Sequence, residues 1–292
     1  MKKTILTMLT LAMTTMVSAQ TINLPGVSNA RQLGGYVIGD KTVKENVLIR
    51  SANLSEASDE ALQTLHDTYH VAQVFDFRST TERLPAPDRI IPGCEYHMLP
   101  CLEQAAQSVT PKQQGAQQTT PGAGNTDKMG EALFAQIDNP KVQMMADSLY
   151  SMILFDPEVQ NHYSSFLHTL AALPEGKAAL WHCSQGKDRA GCGSALLLAA
   201  LGADRKLIVE DFARSNVSYQ PLIDRLIQQA KDKGIAESKW NVIYALVGVS
   251  VPNFERALDT INARWGSLDN YLTQALHVDA TLRQALRERF LK

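Results

Sequence analysis

The sequence has little of most features that narrow a function quickly. Its 292 residues include four cysteines, none in a CxxC pair, so neither a zinc site nor a dithiol redox motif is indicated. Neither sign of charge is in large excess. The formal net charge of −2 gives no bulk attraction to nucleic acid or to an anionic membrane, so any anion site must be local. A bilayer-spanning run is also missing: the apolar stretch from Ile5 to Val17 is too short. What remains is an ordinary soluble balance, 45% apolar and 20% charged, long enough for one large domain or two small ones.

The opening "MKKTILTMLTLAMTTMVSAQ" has the pattern of a signal peptide. A basic start at Lys2 and Lys3 leads into the apolar stretch, and Val17-Ser18-Ala19 is a small-residue cleavage site. Residues 1–19 are expected to be removed, leaving one domain over 20–292. The expected product is secreted, periplasmic in a Gram-negative source, with no stable membrane insertion after cleavage. In that oxidising setting Cys94 and Cys101 matter. Seven extended steps separate their Cα atoms by about 23 Å, beyond disulfide reach unless the chain doubles back.

"NVLIRSA" and "VAQVFDFRS" read as strands, and "SEASDEALQTLHDTY" as a helix with Ser55 or Ser58 as N-cap. Residues 103–130 are rich in Gln, Thr, Gly, Pro and Ala, too poor in large apolar side chains to bury themselves, and read as a flexible insertion. "VQMMADSLYSMIL" is helical. Asp156 and Pro157 start the next helix as N-cap and N1, and Gly266 and Ser267 mark a stop and restart in the helical C-terminal third. The fold class is α/β: a central, mostly parallel sheet flanked by helices, with a helical C-terminal extension.

"KAALWHCSQGKDRAGCGSALLLAALG" carries the chemistry. "KAALWH" suits a buried strand, and "GCGSALLLAALG" is apolar on nearly every face, as a central helix would be. The tight loop between them ends on a helix N-terminus, where converging amides and the helix dipole hold an anion. Arg189 adds a bidentate grip on two of its oxygens. The same field favours the thiolate of Cys183, the form that attacks. A thiolate facing a tetrahedral oxyanion describes phosphoryl transfer to cysteine. That chemistry calls for no metal and no cofactor.

"HCSQGKDRAG" resembles the signature loop of cysteine-dependent protein tyrosine phosphatases. More narrowly, it is similar to the bacterial tyrosine and phosphoinositide phosphatase branch that reads HCxxGKDR. "NARQLGG", "LIRSANLSEAS", "FDFRSTTER", "EDFARSN" and "RWGSLDNYL" resemble that family's segments in order, across nearly all of 20–292. The resemblance implies a tyrosine phosphatase-like fold, Cys183 as nucleophile and Arg189 as phosphate ligand. It further implies a cradle of amides from Ser184, Gln185, Gly186, Lys187, Asp188 and Arg189, with His182 orienting the loop. Lys187 would bring charge to the rim, a feature associated with phosphoinositide substrates. Asp188 is the favoured proton donor to the leaving oxygen, with Asp156 the alternative by spacing; Asp76 reads as a structural partner of Arg78 or Arg83. Cys192 reads as packed, or as a disulfide partner of Cys183 on oxidation.

Two residues depart from the family. Ala190 stands where a Thr or Ser hydroxyl helps the thiolate leave, which makes a slow enzyme or a phosphate-binding module the rival reading. Gln32 replaces an Asp expected near the site. The implied partner is a phosphorylated protein or a phosphoinositide. The loop does not set the oligomeric state or the choice of substrate.

Overall fold

The computed structural model describes residues 20–102 and 123–292. The expected leader and residues 103–122 of the expected insertion lie outside them. The strands are β1 (Arg31–Gln32), β2 (Val37–Ile38), β3 (Lys41–Thr42), β4 (Leu48–Ser51), β5 (Val71–Asp76), β6 (Glu95–Met98) and β7 (Ala178–His182). The helices are α1 (Asp59–Gln63), α2 (Thr80–Arg83), α3 (Ala123–Gln136), α4 (Pro140–Phe155), α5 (Pro157–Ala171), α6 (Asp188–Leu201), α7 (Arg205–Ala213), α8 (Ser215–Asp232), α9 (Trp240–Leu246), α10 (Val251–Trp265), α11 (Leu268–Gln274) and α12 (Ala280–Phe290).

The main sheet runs β1-β4-β7-β5-β6, with β2 and β3 forming a separate hairpin. Only β1 is antiparallel to its neighbour; β4, β7, β5 and β6 are parallel. The middle strand β7 is buried at all five positions, which is why its sequence is continuously apolar rather than alternating. Its side chains still divide between the faces. Ala178 and Leu180 join Ile49, Val74 and the α1 residues Ala61 and Leu62 on one side. Ala179 and Trp181 join Phe75, Phe77 and helix α6 on the other. Helix α6 is buried at every residue from Ala190 to Leu201, as its all-round apolar sequence requires.

Strand β7 ends with His182 level with Ser51 of β4 and Asp76 of β5. The chain therefore turns into α6 at the C-terminal edge of a parallel sheet, where open α/β folds place their ligand crevices. Asp156 caps α5, accepting from the amides of Glu158 and Val159, and Pro157 is at N1. Ser58, not Ser55, caps α1. Gly266 takes φ +81° to end α10, and Ser267 caps α11. The C-terminal end closes back on the β2–β3 hairpin, with Leu291 bridged to Val43 just after β3.

One expectation needs correction. Residues 123–130, read as part of a flexible insertion, are the first half of α3. Their composition favours a loop, but the helix carries Leu133 and leads directly into Ile137, and both are buried with Ile223 and Leu226 of α8 and Val242 and Ile243 of α9. Burial of that stripe overrides weak local propensity. Cys94 and Cys101 sit at opposite ends of β6, and all four cysteines are free thiols.

Candidate active site

The loop from Cys183 to Lys187 is fixed by its carbonyls. The Ser184 carbonyl accepts from the Asn53 side chain at 2.8 Å. That of Gln185 accepts from the Tyr219 hydroxyl at 2.7 Å and from Asn29 at 3.3 Å. The Gly186 carbonyl takes Asn29 and Arg50, both at 2.9 Å, and that of Lys187 takes Arg50 at 3.0 Å. In a planar trans peptide the N–H opposes the C=O, so anchoring four successive carbonyls outward turns the following amides to the other side. Among the described residues, no protein acceptor takes the N–H of Ser184 through Ala190, and α6 begins without a side-chain cap. Unclaimed amides at a helix N-terminus fit an anion. Gly186 is required here: it has φ +65°, and a Cβ would lie 2.2 Å from the Ser51 carbonyl oxygen.

Cys183 lies at the floor of this cradle, 2% exposed. Arg189 does not stand alone beside it. Its Nη1 and Nη2 donate to Glu82 Oε2 and Oε1 at 2.6 and 2.7 Å, so Glu82 takes the terminal edge of the guanidinium. The side edge formed by Nε and Nη2 is not taken by Glu82; among the described residues its one contact is a long one from Nη2 to the Ser184 hydroxyl at 3.4 Å. The Ser184 hydroxyl donates to the same carboxylate at 2.5 Å, and the Ser79 amide at 2.9 Å. Burial alone would raise the Glu82 carboxyl; the Arg189 charge and these donors outweigh it and pull the group down to about 2. Glu82 is therefore charged at any working pH and holds the Arg189 guanidinium in place.

Lys187 departs from expectation. It is 3% exposed, not at the rim, and its ammonium donates to the carbonyls of Leu246 at 2.8 Å and Gly248 at 2.7 Å. Burial lowers its proton affinity more than Asp188 restores it. Asp188 is partly exposed and accepts from the Tyr150 hydroxyl at 3.0 Å. Asp156 is spent as the α5 cap.

His182 is buried beneath the loop, with Nε2 3.0 Å from Asp88 Oδ2 and Nδ1 3.7 Å from Asp76 Oδ1. Burial pushes its imidazole down, but the two carboxylates outweigh that and the net direction is up. Asp76, Asp88 and His182 are close enough together to hold a cation. Arg78 already lies between the carboxylates, with Nη2 2.8 Å from an oxygen of each, so a guanidinium supplies the positive charge there. Asp76 is thus the partner of Arg78, not Arg83.

Gln32 has no part in the site. Its side chain turns to the amide of Asn46 and to Gln20. Ala190 is fully buried, and its carbonyl accepts from Trp181 at 3.1 Å and Ser194 at 2.9 Å. The Ser194 hydroxyl, with Trp181 donating to it in turn, does not stand in for the missing one. Cys192 is packed in the core, where burial holds its thiol well up.

Behind the loop, Asp211 takes Arg50 at 2.9 Å, Arg31 at 3.5 Å and the Tyr36 hydroxyl at 3.0 Å. Replacing it leaves two buried guanidinium groups without their counter-charge. Asp211→Ala should lose about 3–5 kcal/mol of stability, read as a lower denaturation midpoint. A loss below about 1 kcal/mol would show that the network is dispensable.

Sequence reasoning did not single out Asn29, Arg50, Asn53, Glu82 or Asp211. The signal was present: each lies within one of the segments "NARQLGG", "LIRSANLSEAS", "FDFRSTTER" and "EDFARSN". In the structure Asn29, Arg50, Asn53 and Glu82 bond the loop itself, and Asp211 holds Arg50 behind it. Tyr150 and Tyr219 carry no such signal.

A cradle of amides above a cysteine, closed by an ion-paired arginine at the end of a parallel strand, defines a cysteine-dependent phosphatase. The chain belongs to the tyrosine phosphatase family, whose model matches residues 22–292. It is 31% identical over 258 residues to a Cupriavidus necator protein named "Putative tyrosine-protein phosphatase", covering 87% of this chain and 83% of that one. It is 30% identical over 274 residues to the triple specificity protein phosphatase PtpB of Mycobacterium tuberculosis, covering 89% of this chain and 96% of that one.

Proposed function

We propose that the chain hydrolyses phosphotyrosine in proteins through a phosphocysteine intermediate. The observation that carries this reading is the outward anchoring of the loop carbonyls, which turns amides toward one point above Cys183. The thiolate attacks phosphorus, the bond from phosphorus to the leaving oxygen breaks, and Asp188 gives that oxygen its proton. Water then attacks the phosphocysteine, Asp188 takes a proton from it, and inorganic phosphate leaves with the thiolate restored. Arg189 and the amides meet the charge on the equatorial oxygens throughout.

Lys187 favours phosphotyrosine over an inositol head group, because its ammonium is held by two carbonyls and is not offered to a second phosphate. The "triple specificity" in the name of the mycobacterial relative is the ground for the second reading, a phosphoinositide substrate. Site of action belongs to the same proposal: the basic and then apolar leader supports action outside the cytoplasm, with a mature N-terminus at Gln20 as the expected product. Among the described residues no helix is long and apolar enough to cross a membrane.

The test compares a phosphotyrosine peptide, an aryl phosphate and a soluble phosphoinositide, with EDTA present. Release that persists in EDTA and ranks the peptide first supports the proposal; a phosphoinositide preference favours the second reading. Ala190 sets the expected time course, a burst followed by slower turnover. Ala190→Ser should speed the slow phase roughly 3–10-fold, the worth of about one hydrogen bond. An unchanged slow phase would show that the missing hydroxyl does not limit turnover.

A further inference from the structure

Asp188 is held by a residue from outside the loop. The Tyr150 hydroxyl, on α4, donates to Asp188 Oδ1 at 3.0 Å. That hydroxyl is itself an acceptor: the Ser250 amide, at the junction of α9 and α10, donates to it at 3.2 Å. A phenol has one proton, so an amide pointing at its oxygen directs that proton toward the carboxylate. Burial, with the Asp188 charge adding to it, holds the phenol well above its ordinary range, so Tyr150 remains a donor.

We infer that Tyr150 is the positioning residue for Asp188, committing Oδ1 as an acceptor so that the proton passed to the leaving oxygen is carried on Oδ2. The inference rests on the reading of Asp188 as proton donor. Lys187 is the competing candidate for this role, since its Nζ lies 3.6 Å from Asp188 Oδ2. Its two shorter bonds go to the carbonyls of Leu246 and Gly248, so it ties the loop to the α9–α10 junction rather than orienting the carboxylate. The Tyr150 ring is fixed independently of its hydroxyl. It packs edge-on to Phe212 at 5.1 Å and to Phe254 at 5.8 Å, and only 1% of the residue is exposed. A hydroxyl carried on so fixed a ring biases the carboxylate toward one orientation by about the worth of one hydrogen bond.

The hydroxyl is separable from the packing. Tyr150→Phe keeps the ring and removes only the donor. If Tyr150 acts by aiming the proton, its loss matters most where the leaving group needs that proton. The readout is kcat/KM and burst rate, which report formation of the phosphoenzyme whatever limits later turnover. Two substrates are used: phenyl phosphate, with a poor leaving group, and 2,4-dinitrophenyl phosphate, which departs unprotonated. Asp188→Asn should lose about 10²-fold or more on phenyl phosphate and little on the dinitrophenyl ester. Tyr150→Phe should show the same slant at about tenfold, with a fold intact by circular dichroism and melting. An equal loss on both substrates, or no loss on either, while Asp188→Asn keeps its slant, would overturn the inference alone. A flat profile for Asp188→Asn would remove the proton-donor reading itself, and this inference with it.

Discussion

Cys183→Ser is expected to release phosphate at least about 10⁴-fold more slowly than the wild type, with no burst on any substrate. A serine at that position is nearly isosteric, so the cradle and Arg189 persist. Phosphate should still bind, but an alcohol at the floor of the site is a poor nucleophile at neutral pH. Anion binding without hydrolysis would separate the two functions of the loop. The variant should melt close to the wild type, because Cys183 makes no bond on which the loop depends: its neighbours hold the carbonyls. Activity above about 1% of wild type would mean that another group attacks phosphorus.

Arg189→Lys is expected to lower kcat/KM by about 10³-fold. The lysine keeps the charge but offers one point where the guanidinium offers two edges. In the structure one edge goes to Glu82 at 2.6 and 2.7 Å, and the other is the one expected to take phosphate. Lysine cannot serve both. Glu82→Gln isolates the first duty, since it leaves the guanidinium intact and removes the charge that holds it. It should cost less than Arg189→Lys, and mostly in kcat, as an arginine that must be repositioned in each transition state would require. Equal activity of Arg189→Lys and wild type would show that charge alone suffices.

What could be read from the sequence followed from how local the cause was. The strand, loop and helix around Cys183 are specified by a run of residues that bury on both sides of a polar turn. Asp156 with Pro157, and Gly266 with Ser267, set helix ends by chemistry within one turn. The bracing of the loop is not local. Asn29, Arg50, Asn53 and Tyr219 reach it from three separate stretches of the chain, and no periodicity predicts which carbonyl each will take. Lys187 shows the opposite failure. A lysine beside an active-site cysteine reads as an exposed charge, because burial is unusual for lysine, and only the carbonyls of Leu246 and Gly248, about sixty residues on, reveal where it goes. Residues 123–130 failed for a related reason: the partners that make them helical lie on α8 and α9.

The central claim is that phosphate passes through the sulfur of Cys183. The direct measurement is a rapid quench of wild-type protein with an aryl phosphate in EDTA under reducing conditions, followed by peptide mass spectrometry. The account predicts phosphate on the peptide containing Cys183, rising with the burst toward one per chain and decaying with the slow phase. A burst with phosphate on another residue, or steady turnover with Cys183 never modified, would contradict it.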